Sequence, residues 1–202
     1  DALHTLFSLS DEASLNQLYK AARTARSRHF GNDIFTYSFI YFSTYCRNNC
    51  TFCHFRAANT DLQRYRKTTE EILEAARLMT DAGVNLIDLT MGEDPRYFHE
   101  KEGLDDLVAI VAAIHQETGL PVMISPGVVP DALFPKFKKA GAVFYACYQE
   151  THNRDLFHHM RQSQSYDERL SSKLAAKSAG MLVEEGLLCG IGDTIEDTVH
   201  SM

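Results

Sequence analysis

The sequence predicts an α/β protein of the (βα)8 TIM-barrel type, of which these 202 residues supply about the first five βα units, a partial barrel. Two observations lead there. Short runs rich in β-branched and aromatic residues alternate with longer amphipathic runs, five times over. That alternation implies parallel strands joined by crossover helices, in either a doubly wound sheet or a barrel. Residues suited to a site also stand at or just past the C-terminal ends of predicted strands two to five, namely Asp88, Ser125, Gln149, Glu150 and Gly190. A barrel would gather them at one mouth, which favours it.

Each element has a local reason. Ser10 can cap a first helix, at about residues 11–28, with Leu15, Leu18, Tyr19, Ala22 and Ala25 on one face. Residues 34–41 are dense in aromatic and β-branched side chains and read as strand one. A cysteine-bearing loop follows. Thr68 or Thr69 then caps a helix with Ile72, Leu73, Ala76 and Met79 inward and Gly83 as its stop. Residues 86–90 are strand two, and residues 104–118 a helix ended by Gly119 and Pro121.

Residues 122–125 form strand three, and residues 131–139 a short helix stopped by Gly141. Strand four is read at 143–148 and a helix at 166–180. Strand five falls within 182–191, interrupted near Gly186, and the last residues open another helix. No internal repeat or low-complexity tract divides the chain, so residues 1–202 read as one domain. The leaderless start at Asp1 and the helix pattern cut short at Met202 make a segment of a longer protein the expectation.

Composition narrows the function. The net charge is −7 without a basic stripe, which argues against nucleic acid as a partner. Lys20, Arg23, Arg26 and Arg28 lie at helical spacing beside Asp11 and Glu12 and read as a solvated helix face. No apolar run reaches 18 residues and no secretory pattern opens the chain, so a cytoplasmic protein away from the membrane is expected. Of the five cysteines, three fall within eight residues. A disulfide framework would spread them; crowded thiols in a cytosolic-looking chain are more often metal ligands.

The crowded group is Cys46-Arg47-Asn48-Asn49-Cys50-Thr51-Phe52-Cys53, a C-x3-C-x2-C spacing directly after strand one. Thiolates are soft ligands for iron–sulfur clusters and zinc. Structural zinc takes four protein ligands, and His54, adjacent to Cys53, is poorly placed to be the fourth. Three cysteines on a four-iron cube would leave one iron open to a small molecule. Asn48 and Asn49 tolerate the turn such a loop needs. Zinc or incidental thiols remain the alternative at this level.

With Phe52 between the last two cysteines, the loop resembles the signature of the radical S-adenosylmethionine superfamily. The resemblance implies a 4Fe–4S cluster on Cys46, Cys50 and Cys53, the catalytic and metal-ligating residues, in a barrel of radical SAM type. It implies that S-adenosylmethionine chelates the open iron and yields a 5′-deoxyadenosyl radical. Met91-Gly92-Glu93 resembles the family's glycine-rich turn before Glu93, with Met91 replacing its first glycine. Gly190-Ile191-Gly192-Asp193 resembles the strand-five turn of biotin-synthase-like members, which implies that Gly190 and Gly192 lie near the adenine. Glu150 and Arg169 match an acid that binds the cofactor and an arginine that pairs with its methionine carboxylate.

Residues 31–35, 41–50 and 89–95 carry a closer resemblance, to the lysine mutases of pyrrolysine biosynthesis. It implies conversion of L-lysine to (3R)-3-methyl-D-ornithine, with Asp88 and Ser125 contacting the amino acid and a ferredoxin or flavodoxin as electron donor. Cys147 and Cys189, lone thiols in predicted strands, read as core, and His158 and His159 as solvated loop residues. The alternatives are another biotin-synthase or hydrogenase-maturation type of radical enzyme, and a non-catalytic metal-binding scaffold. A partial barrel should have a half-walled pocket and open strand edges, and be inactive alone.

Overall fold

The computed structural model describes residues 2–100 and 102–202; Asp1, where the leaderless start was expected, and Lys101 lie outside them. The chain opens with α1 (Ala2–Phe7), α2 (Glu12–Phe30), β1 (Tyr37–Ser43) and β2 (Asn49–Cys50). It continues through α3 (Thr69–Asp81), β3 (Leu86–Met91), α4 (Pro95–His99), α5 (Gly103–Thr118) and β4 (Val122–Ser125). A 3-10 turn (Asp131–Leu133) leads into α6 (Phe134–Ala140), then β5 (Ala142–Ala146) and α7 (Arg154–Met160). The last elements are β6 (Arg161–Gln162), α8 (Tyr166–Ser178), β7 (Leu182–Glu184) and α9 (Ile195–Ser201).

Five strands form one sheet in the order β1-β3-β4-β5-β7, all neighbours parallel. Each new strand joins on the same side as the last. A doubly wound sheet would reverse from its first strand, so the winding is that of a barrel. The arc is open: β1 and β7 are both edges, and they expose Tyr37, Phe39 and Leu182. Unpaired edges of this kind invite further strand pairing.

Alternation along the strands separates two environments. Ile87 and Leu89 of β3 are buried in the core cluster with Ile72 and Ala76 of α3 and Val111 and Ile114 of α5. Asp88 and Thr90, on the opposite pleat, line the cavity inside the arc. The helices that cover the outer face are well delimited. Thr68 and Glu71 make a reciprocal capping box at the start of α3, which satisfies two otherwise unpaired backbone donors. Gly119 ends α5 in the left-handed region, with φ +69.

Several expectations need correction. Strand one starts at Tyr37, and Ile34 and Phe35 lie exposed before it, because the β propensity of that segment has no neighbouring strand to satisfy it. The cap of α2 is Asp11, whose carboxylate accepts from Ser14 N at 2.8 Å, and not Ser10. No residue of α2 is buried, so its apolar stripe is not a core face here. Strand five, by contrast, keeps its expected interruption near Gly186: its paired part ends at Glu184. The Tyr148 ring lies so close to Gly186 that a Cβ there would come within 2.7 Å of it, and pairing resumes only at the Glu150–Leu187 bridge. Cys189 is exposed, in contrast to the buried Cys147. His158 and His159 sit exposed on α7, a helix rather than a loop.

Candidate active site

The cysteine loop leaves β1 at the C-terminal end of the sheet and is tied down from three sides. Gly92 N donates to Ser43 O at 3.2 Å, and Arg47 N to Glu93 O at 2.9 Å, which fasten it to the end of β3. Across the loop, β2 pairs antiparallel with β6, placing Cys50 opposite Arg161. From below, the Arg64 guanidinium donates to the carbonyls of Thr44, Phe55 (2.9 Å), Arg56 (2.7 Å) and Asn59 (3.1 Å). Four carbonyls that would otherwise need water thus share one planar donor group.

Glycine makes the closeness possible. A Cβ on Gly92 would stand 2.5 Å from Tyr45 O and 2.8 Å from the Cβ of Cys46. Gly127, at φ +84, would bring a Cβ to within 2.3 Å of Glu93 Cγ. That close approach lets Glu93 Oε1 accept from Val128 N at 3.2 Å while Oε2 pairs with Arg47 Nε at 2.9 Å. Next to it, Asp94 is fully buried, accepting from Ser43 Oγ at 2.5 Å and from Arg66 Nε and Nη2 at 2.6 and 2.8 Å. It also caps α4 through Arg96 N at 3.0 Å.

Cys46, Cys50 and Cys53 share one cavity of about 260 Å³ with Asp88, Glu93, Ser125, Glu150, Arg161 and Arg169. The structure therefore gathers eight of the ten residues expected from the sequence. Gly190 and Gly192 are the exceptions. They lie in a turn outside this cavity, where the Asp193 carboxylate accepts from Gly190 N and Ile191 N, both at 3.0 Å. Asp88 also sits differently from its expected place: it is the third residue of β3, not its end, and reaches the cavity by pleat rather than by chain position.

Electrostatics follow from burial. Desolvation pushes the Cys46 and Cys53 thiols above their ordinary range. Asp88, whose Oδ1 accepts from Ser125 Oγ at 3.0 Å, is likewise raised by burial, against the hydrogen bond that favours its ionised form. Glu150, held at φ +68, is raised by burial although Arg161 Nη2 donates to it at 2.7 Å. Burial, then the neighbouring Arg169, lowers Arg161.

Arg161 is the site residue that sequence reasoning missed. Its place depends on the long-range β2–β6 pairing, which leaves no periodic trace in two-residue strands. It donates to Glu150 and to Tyr148 O at 2.8 Å and stands 5.3 Å from the Phe52 ring. Arg169 donates to the same carbonyl at 2.9 Å. The Nε atoms of both arginines are buried without a hydrogen-bond partner, and both side chains line the cavity.

Among the described residues no three His, Cys, Asp or Glu groups converge closely enough to hold a single ion. A polynuclear cluster spreads its thiolates wider than one ion does, and three free thiols lining one cavity form a donor set suited to it. The chemistry of the lining fits an iron–sulfur cluster, and the two arginine side chains in the same cavity fit a carboxylate beside it.

The radical SAM superfamily pattern matches residues 40–202. The chain is 45% identical over 200 residues to 3-methylornithine synthase from Methanosarcina barkeri, covering 99% of this chain and 56% of that protein. It is 34% identical to the FeFe-hydrogenase maturase subunit HydE of Thermotoga maritima, across its whole length and 57% of the relative. The crystal structure of methylornithine synthase superposes with a TM-score of 0.92 at 44% identity, over 98% of this chain and 58% of that one. The chain thus spans little more than half the length of these relatives.

Proposed function

Because the chain belongs to the radical SAM superfamily, we propose that it forms the cofactor-binding part of a lysine mutase that makes (3R)-3-methyl-D-ornithine from L-lysine. The observation that carries this reading is the shared cavity, lined by three thiols and by the two buried arginines Arg161 and Arg169. Cys46, Cys50 and Cys53 would hold a 4Fe–4S cluster, and Glu93, Glu150 and Arg169 would bind S-adenosylmethionine, with Arg161 beside them. Gly190 and Gly192 could reach that cofactor only from outside the cavity the structure describes. When bound, the pair supplies one-electron cleavage of a carbon–sulfur bond, and hence hydrogen-atom abstraction from a substrate.

The chain's own residues prepare that chemistry. The Glu150–Arg161 ion pair fixes the loop after β5 against the cysteine loop. Asp88 and Ser125 present a carboxylate and a hydroxyl to an ammonium substrate, the pairing that a buried lysine requires. Crowded thiols of this kind belong in a reducing compartment, and we place the protein in the cytoplasm with a ferredoxin or flavodoxin as electron donor.

Asp88→Asn separates binding from stability. It is expected to weaken lysine binding roughly ten- to hundredfold, the value of a charge-assisted hydrogen bond. The same change should preserve or raise the melting temperature. Burial raises the Asp88 pKa, so stability from its neutral form is lost as pH rises through that value, and an amide escapes the loss. Lysine titration and thermal melts at neutral pH would check both effects.

The decisive experiment joins this chain to the C-terminal portion of a 3-methylornithine synthase, reconstitutes the cluster anaerobically, and supplies dithionite, S-adenosylmethionine and lysine. A lysine isomer that co-elutes with methylornithine and disappears on Cys50→Ala is the expected product. Release of 5′-deoxyadenosine with lysine unchanged would keep a radical enzyme and discard the substrate. A loaded cluster with neither product would leave the scaffold reading.

A further inference from the structure

We propose that Gln164 is a positioning residue for the cluster. Its side-chain amide donates to the Cys50 sulfur and so raises the reduction potential of a cluster held there. The proposal rests on the cluster reading above and extends it to a residue no sequence motif singles out.

Gln164 lies in the turn between β6 and α8, with its Nε2 3.0 Å from Cys50 Sγ. Which end of the amide faces the sulfur is decided by its neighbours. On the other side, Arg169 Nη1 approaches Gln164 Oε1 at 3.2 Å and Arg161 Nη1 at 3.5 Å. Guanidinium groups only donate, so the oxygen must face the arginines and the NH2 must face the sulfur. A flipped amide would set donors against two cations and lose all three contacts.

The turn itself is held in place. Gln164 N donates to Arg161 O at 3.1 Å, and Ser165 caps α8 by accepting from Glu168 N at 3.2 Å. Ser163 occupies the left-handed region at φ +63, a conformation a non-glycine residue adopts only where its surroundings impose it. Arg169 is in turn anchored on Tyr148 O at 2.9 Å. Gln164 therefore cannot turn away from Cys50 without breaking the arginine contacts. Arg161 Nη1 adds a second donor to the same sulfur at 3.5 Å, which makes Cys50 the thiol of this loop with two side-chain donors.

A thiolate on an iron–sulfur cluster gains negative charge when the cluster takes up one electron, with no bond made or broken. A hydrogen-bond donor at the sulfur stabilises the reduced form more than the oxidised form, and the potential rises. Removing the donor must lower it. Replacing it by an acceptor must lower it further.

The test is an EPR-monitored redox titration with dithionite on the anaerobically reconstituted 202-residue chain, without S-adenosylmethionine. Gln164→Leu keeps the bulk and removes the donor; Gln164→Glu keeps the shape and turns donor into acceptor. The expected order of midpoint potential is wild type, then Leu, then Glu. The Leu step should be about a tenfold shift in the reduction equilibrium, which is about 59 mV for a one-electron couple. Iron content should stay unchanged. Equal potentials in all three loaded proteins would overturn the proposal while leaving the cluster reading intact. Loss of the cluster in both variants would assign Gln164 to holding the loop and overturn the tuning role. A wild-type chain that takes up no cluster would overturn both.

Discussion

Asp94→Ala is expected to destabilise the protein by about 3 kcal/mol, the lower end of the cost of breaking a buried ion pair. The Asp94 side chain is fully buried, whereas about a third of Arg66 reaches solvent, so the orphaned guanidinium recovers some hydration. Four donors lose their acceptor at once: Ser43 Oγ, two guanidinium nitrogens and the backbone N–H of Arg96. For a chain of this length the change corresponds to roughly 6–12 °C in melting temperature, readable by calorimetry. Asp94→Asn should cost less, because an amide oxygen can still cap α4.

The pH dependence supplies an independent check. Hydrogen bonds from Arg66 and Ser43 overcome the effect of burial and hold the Asp94 carboxyl below its ordinary value of 3.8. A depressed folded pKa contributes stability that is fully present above the unfolded value and is lost as pH falls through the folded one. Wild type should therefore exceed Asp94→Asn by a constant margin above about pH 5, and the margin should close below about pH 4. A margin that persists into strong acid would mean that the charge on Asp94 is not what stabilises this corner.

Gly92→Ala is expected to strike the cluster site directly. The added Cβ would meet a backbone carbonyl at 2.5 Å and the Cβ of Cys46 at 2.8 Å. Neither is the free end of a flexible side chain, so the loop between Tyr45 and Cys46 must move. Overpacking of this kind costs about 1–3 kcal/mol, which corresponds to roughly a ten- to hundredfold loss in cluster affinity if the strain falls on the ligand loop. Iron and sulfide content after anaerobic reconstitution would measure it. Thermal stability of the metal-free chain should fall by less than cluster retention does. If the melting temperature collapses and iron binding per folded molecule does not, the strain is borne by β3 instead.

The two predictions also show where sequence reading stopped. Asp94 and Arg66 are 28 residues apart, with α3 and β3 between them, so no local pattern encodes their contact. Gly92 was visible as part of Met91-Gly92-Glu93, but its necessity lies in the distance to Tyr45, which only the packed loop defines.

What the amino-acid sequence determined by itself were several features with a local physical cause. The α3 cap at Thr68, the stop of α5 at Gly119 and the four residues of β4 follow from side-chain hydrogen bonding, backbone freedom and β propensity within a few residues. The crowding of three cysteines after strand one pointed to soft-metal chemistry. Tertiary structure decided the rest. It wound the strands one way into an arc and left Gly190 and Gly192 outside the cavity. Through two residues of antiparallel pairing it brought Arg161 to Cys50, 111 positions away. Contacts of that range depend on how whole elements pack, and two-residue strands leave no period in the sequence from which to read them.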